Sequence, residues 1–391
     1  MKTLKDFEFK GKLVFLRVDF NVPIKDGIIS DDTRIKASLP TINYLLENNA
    51  KLVLASHLGR PKGKIVAEMS LGPVAKRLSE LLNKEVLFNG LTIGDDVEAV
   101  KEDLNEGQIY LLENLRFDKC ETDNDEGFSK ELAKGIDIFI SDAFGTVHRA
   151  HASVAGITKF VENKGCGLLI KKEMDYLGKI LENPERPFCA ILGGAKVSDK
   201  ITVIENLLNI ADVICIGGAM SYTFLKAQGV EVGNSLVEDD KLELTKIIMK
   251  KAADLNKRIV LPLDHVISKS IKDTTEIIKT EGTCIEKDFM GLDIGEKTVE
   301  LYKDIINNSA TVFWNGPVGV FENEAFANGT LSIAKALAAS NAISVIGGGD
   351  SVSAINKAGV QDRMNHISTG GGASMEFIEG KKLPGIEALK E

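Results

Sequence analysis

Two sets of residues in this chain have the types and spacing for anion chemistry, and they lie in different halves. The first set is built on arginine: RVDFNVP (17–23), Arg34, SHLGRP (56–61), ENLRF (113–117) and DAFGTVHRAHAS (142–153). Arginine presents a planar fork that grips a carboxylate or phosphate bidentately, where lysine offers only a point charge. Arg17, Arg34, Arg60, Arg77, Arg116 and Arg149 precede residue 150, and only Arg186, Arg258 and Arg363 follow it. Convergence of Arg34, Arg60, Arg116 and Arg149 implies a small, highly anionic ligand. The competing reading of any one of them is a surface ion-pair partner, and Arg17, inside a strand pattern, and Arg77, inside a helix, are assigned to it. His57, His148 and His151 are either anion contacts or ordinary core and surface imidazoles. H-R-A-H places two histidines at i, i+3, but no carboxylate or thiol set accompanies them, so a metal site is not expected.

The second set is built on glycine: GGAK (193–196), GGAM (217–220), NGPVG (315–319), GGGDS (347–351) and TGGGAS (369–374). Glycine lets the backbone approach a ligand closely, and a helix opened by such a run offers free N–H groups and a positive dipole end to phosphate. Each run is expected to open a helix. The stretch AILGGAKVSDK (190–200) does not fit the G-x-x-x-x-G-K-[ST] spacing of a P-loop. It reads as a phosphate loop of another design, with Lys196 reaching the group in transit and Lys200 opening the next helix, either on phosphate or in solvent. Asp350 is either a plain N-cap or a Mg²⁺ partner acting through nucleotide phosphates, since Mg²⁺ usually takes only one or two carboxylates. GGGDSV has Val352 where a dinucleotide fingerprint needs its third glycine.

The elements that must position these residues follow from hydrophobic periodicity. Short β-branched runs alternate with amphipathic helical patterns, the signature of βαβ units on a parallel sheet. The first half predicts strands at 12–18, 51–56, 85–88, 108–113 and 137–142, and the second at 187–192, 212–217, 258–263, 311–316 and 342–348. Ser30, Asp31 and Asp32 can cap the helix that carries Arg34. GLLIKKEMDYLGKILEN (167–183) reads as a long helix ended by Pro184 and Pro187. The expected fold is α/β: two doubly wound, Rossmann-like parallel-sheet domains joined by that helix, with a cleft between them. The expected boundaries are an N-terminal domain at 1–166, the helix at 167–183, a C-terminal domain at 184–375 and a tail at 376–391. In such sheets ligands bind outside the carboxyl ends of the strands, which is where both sets lie.

Composition bounds the partners. A chain of 391 residues, 44% hydrophobic and 27% charged, suits two globular domains. A formal net charge of −9 argues against nucleic acid or an anionic membrane as partner. MKTLKDFEFKGKLVFLRVDF (1–20) holds no uninterrupted apolar region of the secretory kind, so a cytoplasmic protein is expected. Cys120, Cys166, Cys189, Cys215 and Cys284 form no C-x-x-C pair and read as free, mostly buried thiols.

At these residues the sequence resembles the phosphoglycerate kinases. RVDFNVP, SHLGRP, LLENLRF, DAFGTVHRAHAS, GGAKVSDK, FWNGPVGVFE, GGGDS and ISTGGGASMEFIEGKKLPG occur in that family's order, from residue 17 to the C-terminus. Val147 is a neighbouring departure where a smaller residue is expected. The resemblance implies reversible phosphoryl transfer from 1,3-bisphosphoglycerate to ADP, giving 3-phosphoglycerate and ATP, by in-line attack after domain closure. It implies an N-domain site for 3-phosphoglycerate at Asp19, Asn21, Arg34, His57, Arg60, Arg116 and Arg149. It implies a C-domain site for ADP or ATP at Lys196, Lys200, Gly291, Asn315, Glu322, Gly348, Gly349, Asp350 and Ser351, with Glu322 on the ribose. Lys200, Asn315 and the Gly371 and Gly372 amides would contact phosphate, Asp350 would partner Mg²⁺, and Arg34, Lys196, Gly348 and Gly371 would act on the moving group. A monomer is expected, with LPGIEALKE crossing back to the N-domain. The chemistry is compatible with the residues: both acceptor oxygens are anionic at neutral pH, so positioning and positive charge suffice, and no Ser–His–Asp set or poised carboxylate pair is evident. Two other classes suit two lobes around a cleft. A nicotinamide dehydrogenase is disfavoured by the imperfect glycine fingerprint, and a solute-binding protein by the absence of an export signal.

Overall fold

The apolar, β-branched runs pair into two six-stranded sheets, each parallel throughout. Strands covered on both faces need apolar residues at successive positions rather than alternate ones. The structure is a computed structural model and describes residues 1–390. The first sheet contains β1 (Leu13–Arg17), β2 (Lys51–Ala55), β3 (Val86–Leu87), β4 (Ile109–Leu111), β5 (Ile138–Ser141) and β6 (Asn163–Cys166), in the order β3-β4-β2-β1-β5-β6. The second contains β7 (Phe188–Leu192), β8 (Val213–Ile216), β9 (Arg258–Val260), β10 (Thr311–Asn315), β11 (Ile343–Gly347) and β12 (His366–Ile367), in the order β9-β8-β7-β10-β11-β12.

In both sheets the strand order reverses at one place, and there the loops that leave neighbouring strands diverge and open a crevice. In the first sheet it lies between β1 and β5, where Arg17 pairs with Ser141. In the second it lies between β7 and β10, where Leu192 pairs with Asn315. RVDFNVP and DAFGTVHRAHAS therefore flank one switch point, and GGAK and NGPVG flank the other.

The helix Thr33–Glu47 buries Ile35, Ser38, Thr41, Ile42 and Leu45, the spacing of one helical face. Its first amide is capped by Asp31, whose Oδ1 accepts from Thr33 N at 2.9 Å. Asp32 occupies the N-cap position but pairs instead with Lys36 and Arg77, each at 2.8 Å. Among the described residues no helix is long and apolar enough to cross a membrane.

Contacts divide the chain into two compact units, Met1–Asp175 with the residues from Lys382 onward, and Tyr176–Lys381. The division falls inside the helix Leu168–Glu182, and residues 376–381 group with the second unit. Beyond them Leu383, Ile386 and Leu389 are buried, and Gly385 N donates to Val147 O at 2.8 Å.

The second unit adds an antiparallel sheet of His265–Ser268, Ile278–Lys279 and Met290–Ile294, which sequence periodicity does not predict. Gly291 and Asp293 lie inside the last of these strands, and both types are poor strand formers. Asp293 is there for its carboxylate. It accepts from Gly329 N at 2.7 Å and Ile294 N at 2.9 Å, tying the strand to the start of the helix Asn328–Ala339.

Burial pushes the Asp293 carboxyl up to about 7, against lowering by those two amides. Because the folded value exceeds the unfolded one, the folded state holds the extra proton, and its stability falls as pH rises from about 4 to about 7. Asp293→Asn removes this titration. The gap in urea midpoint between wild type and variant, followed by fluorescence of the buried Trp314, is expected to be larger at pH 5 than at pH 8. Equal gaps at the two pH values would contradict the assignment.

Candidate active site

In the first unit the chain leaves β1 into a cluster held by short polar bonds. Asp19 Oδ2 pairs with Arg34 Nη1 at 3.0 Å, which aims an otherwise half-exposed guanidinium. Asn21 Oδ1 accepts from Gly59 N at 2.9 Å, and Arg116 Nη1 donates to Gly59 O at 2.9 Å. The loops after β1, β2 and β4 are thus stitched together around Gly59. Arg116 Nε is buried without a partner, a donor ready for an anion. Arg60 and Arg149 are exposed and make no ion pair among the described residues. Arg60 nevertheless acts electrostatically on Arg116, and Arg149 on His151.

The field of this cluster is positive. His57 is buried, and its pKa is pushed well below the ordinary imidazole value, first by burial and then by Arg17, Arg116 and Arg34. His151 falls to about 4, again through burial and then Arg116 and Arg17. Asp19, Asn21, Arg34, His57 and Arg116, which the sequence singles out, are brought together.

Arg17 is not the surface residue that the sequence suggested. It has no exposed surface: Nε donates to Ser153 Oγ at 2.8 Å, Nη1 to Val18 O, and Nη2 reaches His57 Nδ1 at 3.3 Å. Ser153 is held in turn by the fully buried Glu121, through Oγ at 2.7 Å and N at 2.9 Å. An arginine in a strand pattern gives no local sign of such a network, because its side-chain partners, Ser153 and His57, are more than 30 residues away in sequence. Arg77, by contrast, keeps the ion-pair role, bonded to Asp32 and Glu80.

In the second unit the glycine runs divide into two kinds. GGAM leads into the helix Met220–Ala227, GGGDS into Gly349–Ala358 and TGGGAS into Gly372–Ile378. GGAK and NGPVG open no helix directly, contrary to expectation. They pack backbone on backbone instead, with Gly194 N bonded to Pro317 O at 3.0 Å and a Cβ at Gly193 overlapping the same carbonyl. Only at Ile201 does a helix begin, with Lys200 in the N-cap position.

Lys200 Nζ bonds Asn315 Oδ1, and Asn315 Nδ2 donates to Gly347 O at 2.7 Å. That chain joins the loops after β7, β10 and β11. Burial lowers the Lys200 pKa, partly offset by Asp199, Asp350 and Glu379. Lys196 is exposed at the loop tip, and Ser198 beside it is pinned by Glu238, at 3.0 Å through N and 2.6 Å through Oγ. Gly348 takes φ +88, with Asn315 Nδ2 where a Cβ would point, and it, rather than Asp350, is the N-cap residue. Ser351 Oγ accepts from Gly316 N at 2.6 Å, and Gly371 caps its helix at φ +53.

Between these loops and the antiparallel sheet lies a cavity of about 210 Å³. Its walls include Gly218, Tyr222, Gly291, Leu292 and Val318, with Glu322 and Asp350 among the lining residues. Small and apolar walls with a few polar groups suit a flat, largely apolar ligand portion. Gly291, Glu322 and Asp350 were anticipated. Tyr222, in a helix whose other residues read as core, was not. A larger hollow of about 510 Å³, lined by Ile28, Asp32, Lys76 and Arg77 among others, touches neither cluster and is bounded by satisfied ion pairs.

Comparison with known proteins agrees with this fold. A family model described as Phosphoglycerate kinase matches residues 4–381. The chain belongs to the phosphoglycerate kinase family. A phosphoglycerate kinase of Clostridium tetani is 54% identical over 392 residues, covering 100% of this chain and 98% of that protein. The structure of phosphoglycerate kinase from Coxiella burnetii superposes with a TM-score of 0.92 at 39% identity, covering 100% of this chain and 98% of that one. That from Pyrococcus horikoshii gives 0.83 at 35% identity, with the same coverage. The two doubly wound sheets are thus the fold of phosphoglycerate kinases.

A Cβ at Gly291 would overlap the Tyr222 hydroxyl and the ring carbons beside it. Gly291→Ala is expected to cost about 1–3 kcal/mol, the usual range for overpacking, seen as a lower urea midpoint by Trp314 fluorescence. Tyr222→Leu in the same chain, which removes the hydroxyl and that edge of the ring, should recover part of it. A double variant no more stable than the single would show that the strain lies elsewhere.

Proposed function

We propose that this protein is an enzyme that transfers a phosphoryl group reversibly between 1,3-bisphosphoglycerate and ADP, giving 3-phosphoglycerate and ATP. What carries the reading is the match to the phosphoglycerate kinase family over residues 4–381, with the family's motifs on the strand ends described above. Arg60, Arg116 and Arg149 grip the phosphate of the three-carbon substrate bidentately. Asp19, Asn21 and His57 address its hydroxyl and carboxyl oxygens, and Asp19 also holds Arg34 toward the group in transit.

The adenine base fills the glycine-walled cavity, with Glu322 on the ribose. Lys200, Asn315, Ser351 and the amides of Gly348, Gly349, Gly371 and Gly372 take the phosphates. Among the described residues no group of three or more acidic, histidine or cysteine side chains could hold a metal. One exposed carboxylate, Asp350 in the first turn of Gly349–Ala358, fits Mg²⁺ bound mainly by nucleotide phosphates and water. Bound there, Mg²⁺ would neutralise charge on the phosphate oxygens.

The attacking oxygen is a carboxylate in one direction and a terminal phosphate in the other, both already ionised at neutral pH. Nothing has to remove a proton, so the chain's task is alignment and charge. Arg34 from one unit and Lys196 from the other supply it, with the amides of Gly348 and Gly371. Because those residues belong to different units, the reading requires the units to close on their ligands in each turnover, which also excludes water. A monomer in the reducing cytoplasm suits the five free cysteines.

Steady-state kinetics with varied 3-phosphoglycerate and ATP tests the assignment. Lys196→Ala should lower kcat by about a hundred- to a thousandfold with little change in nucleotide KM; a kcat within a few-fold of wild type would remove Lys196 from this role. Arg60→Lys keeps charge but loses the fork, so KM for 3-phosphoglycerate should rise while that for ATP hardly moves. Equal rises would sink the substrate assignment.

A further inference from the structure

Among the described residues Arg17 is the one fully buried arginine. Guanidinium has no lone pair and stays charged in proteins, so it acts only as a donor. Each of its bonds therefore has a determined direction. Nε donates to Ser153 Oγ at 2.8 Å, and Nη1 donates to Val18 O. Nη2 lies 3.3 Å from His57 Nδ1, which must then be the acceptor. A ring nitrogen that accepts carries no proton, and in a neutral imidazole the proton then sits on the other nitrogen.

We infer that Arg17 is a positioning residue: by donating to Nδ1 of His57 it fixes the imidazole as the neutral tautomer with its proton on Nε2, which offers the bound anion a donor. The inference rests on the reading that His57 lines the site for 3-phosphoglycerate. Its surroundings disfavour the protonated ring. The charged and titratable groups that act on it are Arg17 on β1, Arg34 at the start of Thr33–Glu47, Arg116 after β4 and His151 before the turn at 152–156. Asp19, paired with Arg34, and Glu121 compensate the guanidinium groups, while burial and the cations together disfavour a positive charge on His57. Both carboxylates compensate Arg17 by charge, and Glu121 is also linked to it through Ser153, whose hydroxyl donates to Glu121 Oε1 at 2.7 Å while accepting from Arg17.

That relay explains why a cation is buried here at all. Removing a guanidinium from water costs several kcal/mol, which only good geometry and satisfied donors offset. An uncharged donor at this position would let the imidazole rotate or exchange its proton between nitrogens. A substrate anion would then meet a lone pair in part of the population, and that fraction would be lost to binding.

The test is tautomer-sensitive NMR on the full-length chain labelled with ¹⁵N-histidine, with His57 assigned through the loss of its signals in His57→Gln. The expected spectrum at pH 7 shows one unprotonated nitrogen at Nδ1 and one protonated nitrogen at Nε2. A cationic ring, or a proton on Nδ1, would overturn the proposal without any variant. Arg17→Met removes the donor and should mix the tautomers while raising KM for 3-phosphoglycerate about tenfold, the effect of one hydrogen bond of about 1.4 kcal/mol, with kcat less affected. Where that variant fails to fold, Arg17→Lys keeps the charge on a differently shaped donor and should show the same loss in weaker form. A folded variant that retains the wild-type tautomer and KM would overturn the role of Arg17. Adding 3-phosphoglycerate to wild type should move the Nε2 resonance. Failure to move it, with the tautomer as expected, would overturn the substrate reading of His57 while leaving the Arg17–His57 bond standing.

Discussion

A chain with a formal net charge of −9 that must hold two polyanions can do so only by concentrating positive potential locally. The rest of the structure follows from that constraint. Charge spread over the surface would be screened within about a Debye length, whereas charge gathered in a crevice with apolar walls is screened far less. Each sheet has one such crevice, where its strand order reverses. The first unit gathers arginines around its crevice, and the second lines its own with backbone amides and Lys200, with Lys196 exposed on the loop above. Both solutions present positive potential to phosphate, but they differ in what they recognise. In the proposed reading, forked side chains suit the shape of a small, fixed anion, while amides at glycine turns suit a flexible polyphosphate chain.

Gathering like charges has a cost that the structure meets with buried acids and relays. Arg34 leans on Asp19, and Arg17 is answered by Glu121 through Ser153. The imidazoles of His57 and His151 respond by remaining neutral, since another proton among these guanidinium groups is disfavoured. In the second unit Lys200 is partly desolvated and bound to Asn315, which holds it at the strand ends rather than in solvent. The same device recurs away from charge: Asp293, buried inside a strand, uses two amides to anchor the sheet that walls the cavity.

Much of this was legible in the sequence because its signals are local. Ten strands can be read from apolar runs, the arginines of the strand-end loops from their position after those runs, and the glycine loops from their spacing. What was missed depends on long-range partners. Arg17 in LVFLR looks like any strand residue until Ser153 and His57 are placed against it, and Tyr222 in MSYTFLKA looks like core until Gly291 approaches its hydroxyl. The antiparallel sheet was hidden because Gly291 and Asp293 serve the cavity and the helix anchor rather than strand propensity. GGAK and NGPVG were expected to open helices because three other glycine runs do; instead they spend their glycines on each other, backbone against backbone at the switch point.

The central claim is that transfer runs directly between two bound anions, with the protein supplying alignment and charge and no covalent intermediate. It is consistent with a site whose charged residues are arginines, lysines and the carboxylates Asp19, Glu322 and Asp350, none of them set beside a base as an activated nucleophile. The most direct measurement is the stereochemical course at phosphorus, using ATP made chiral at the γ-phosphoryl group with oxygen isotopes and 3-phosphoglycerate as acceptor. A single in-line displacement inverts the configuration, and inversion is the result expected. Retention would require two displacements through a phosphorylated side chain, and would contradict the account.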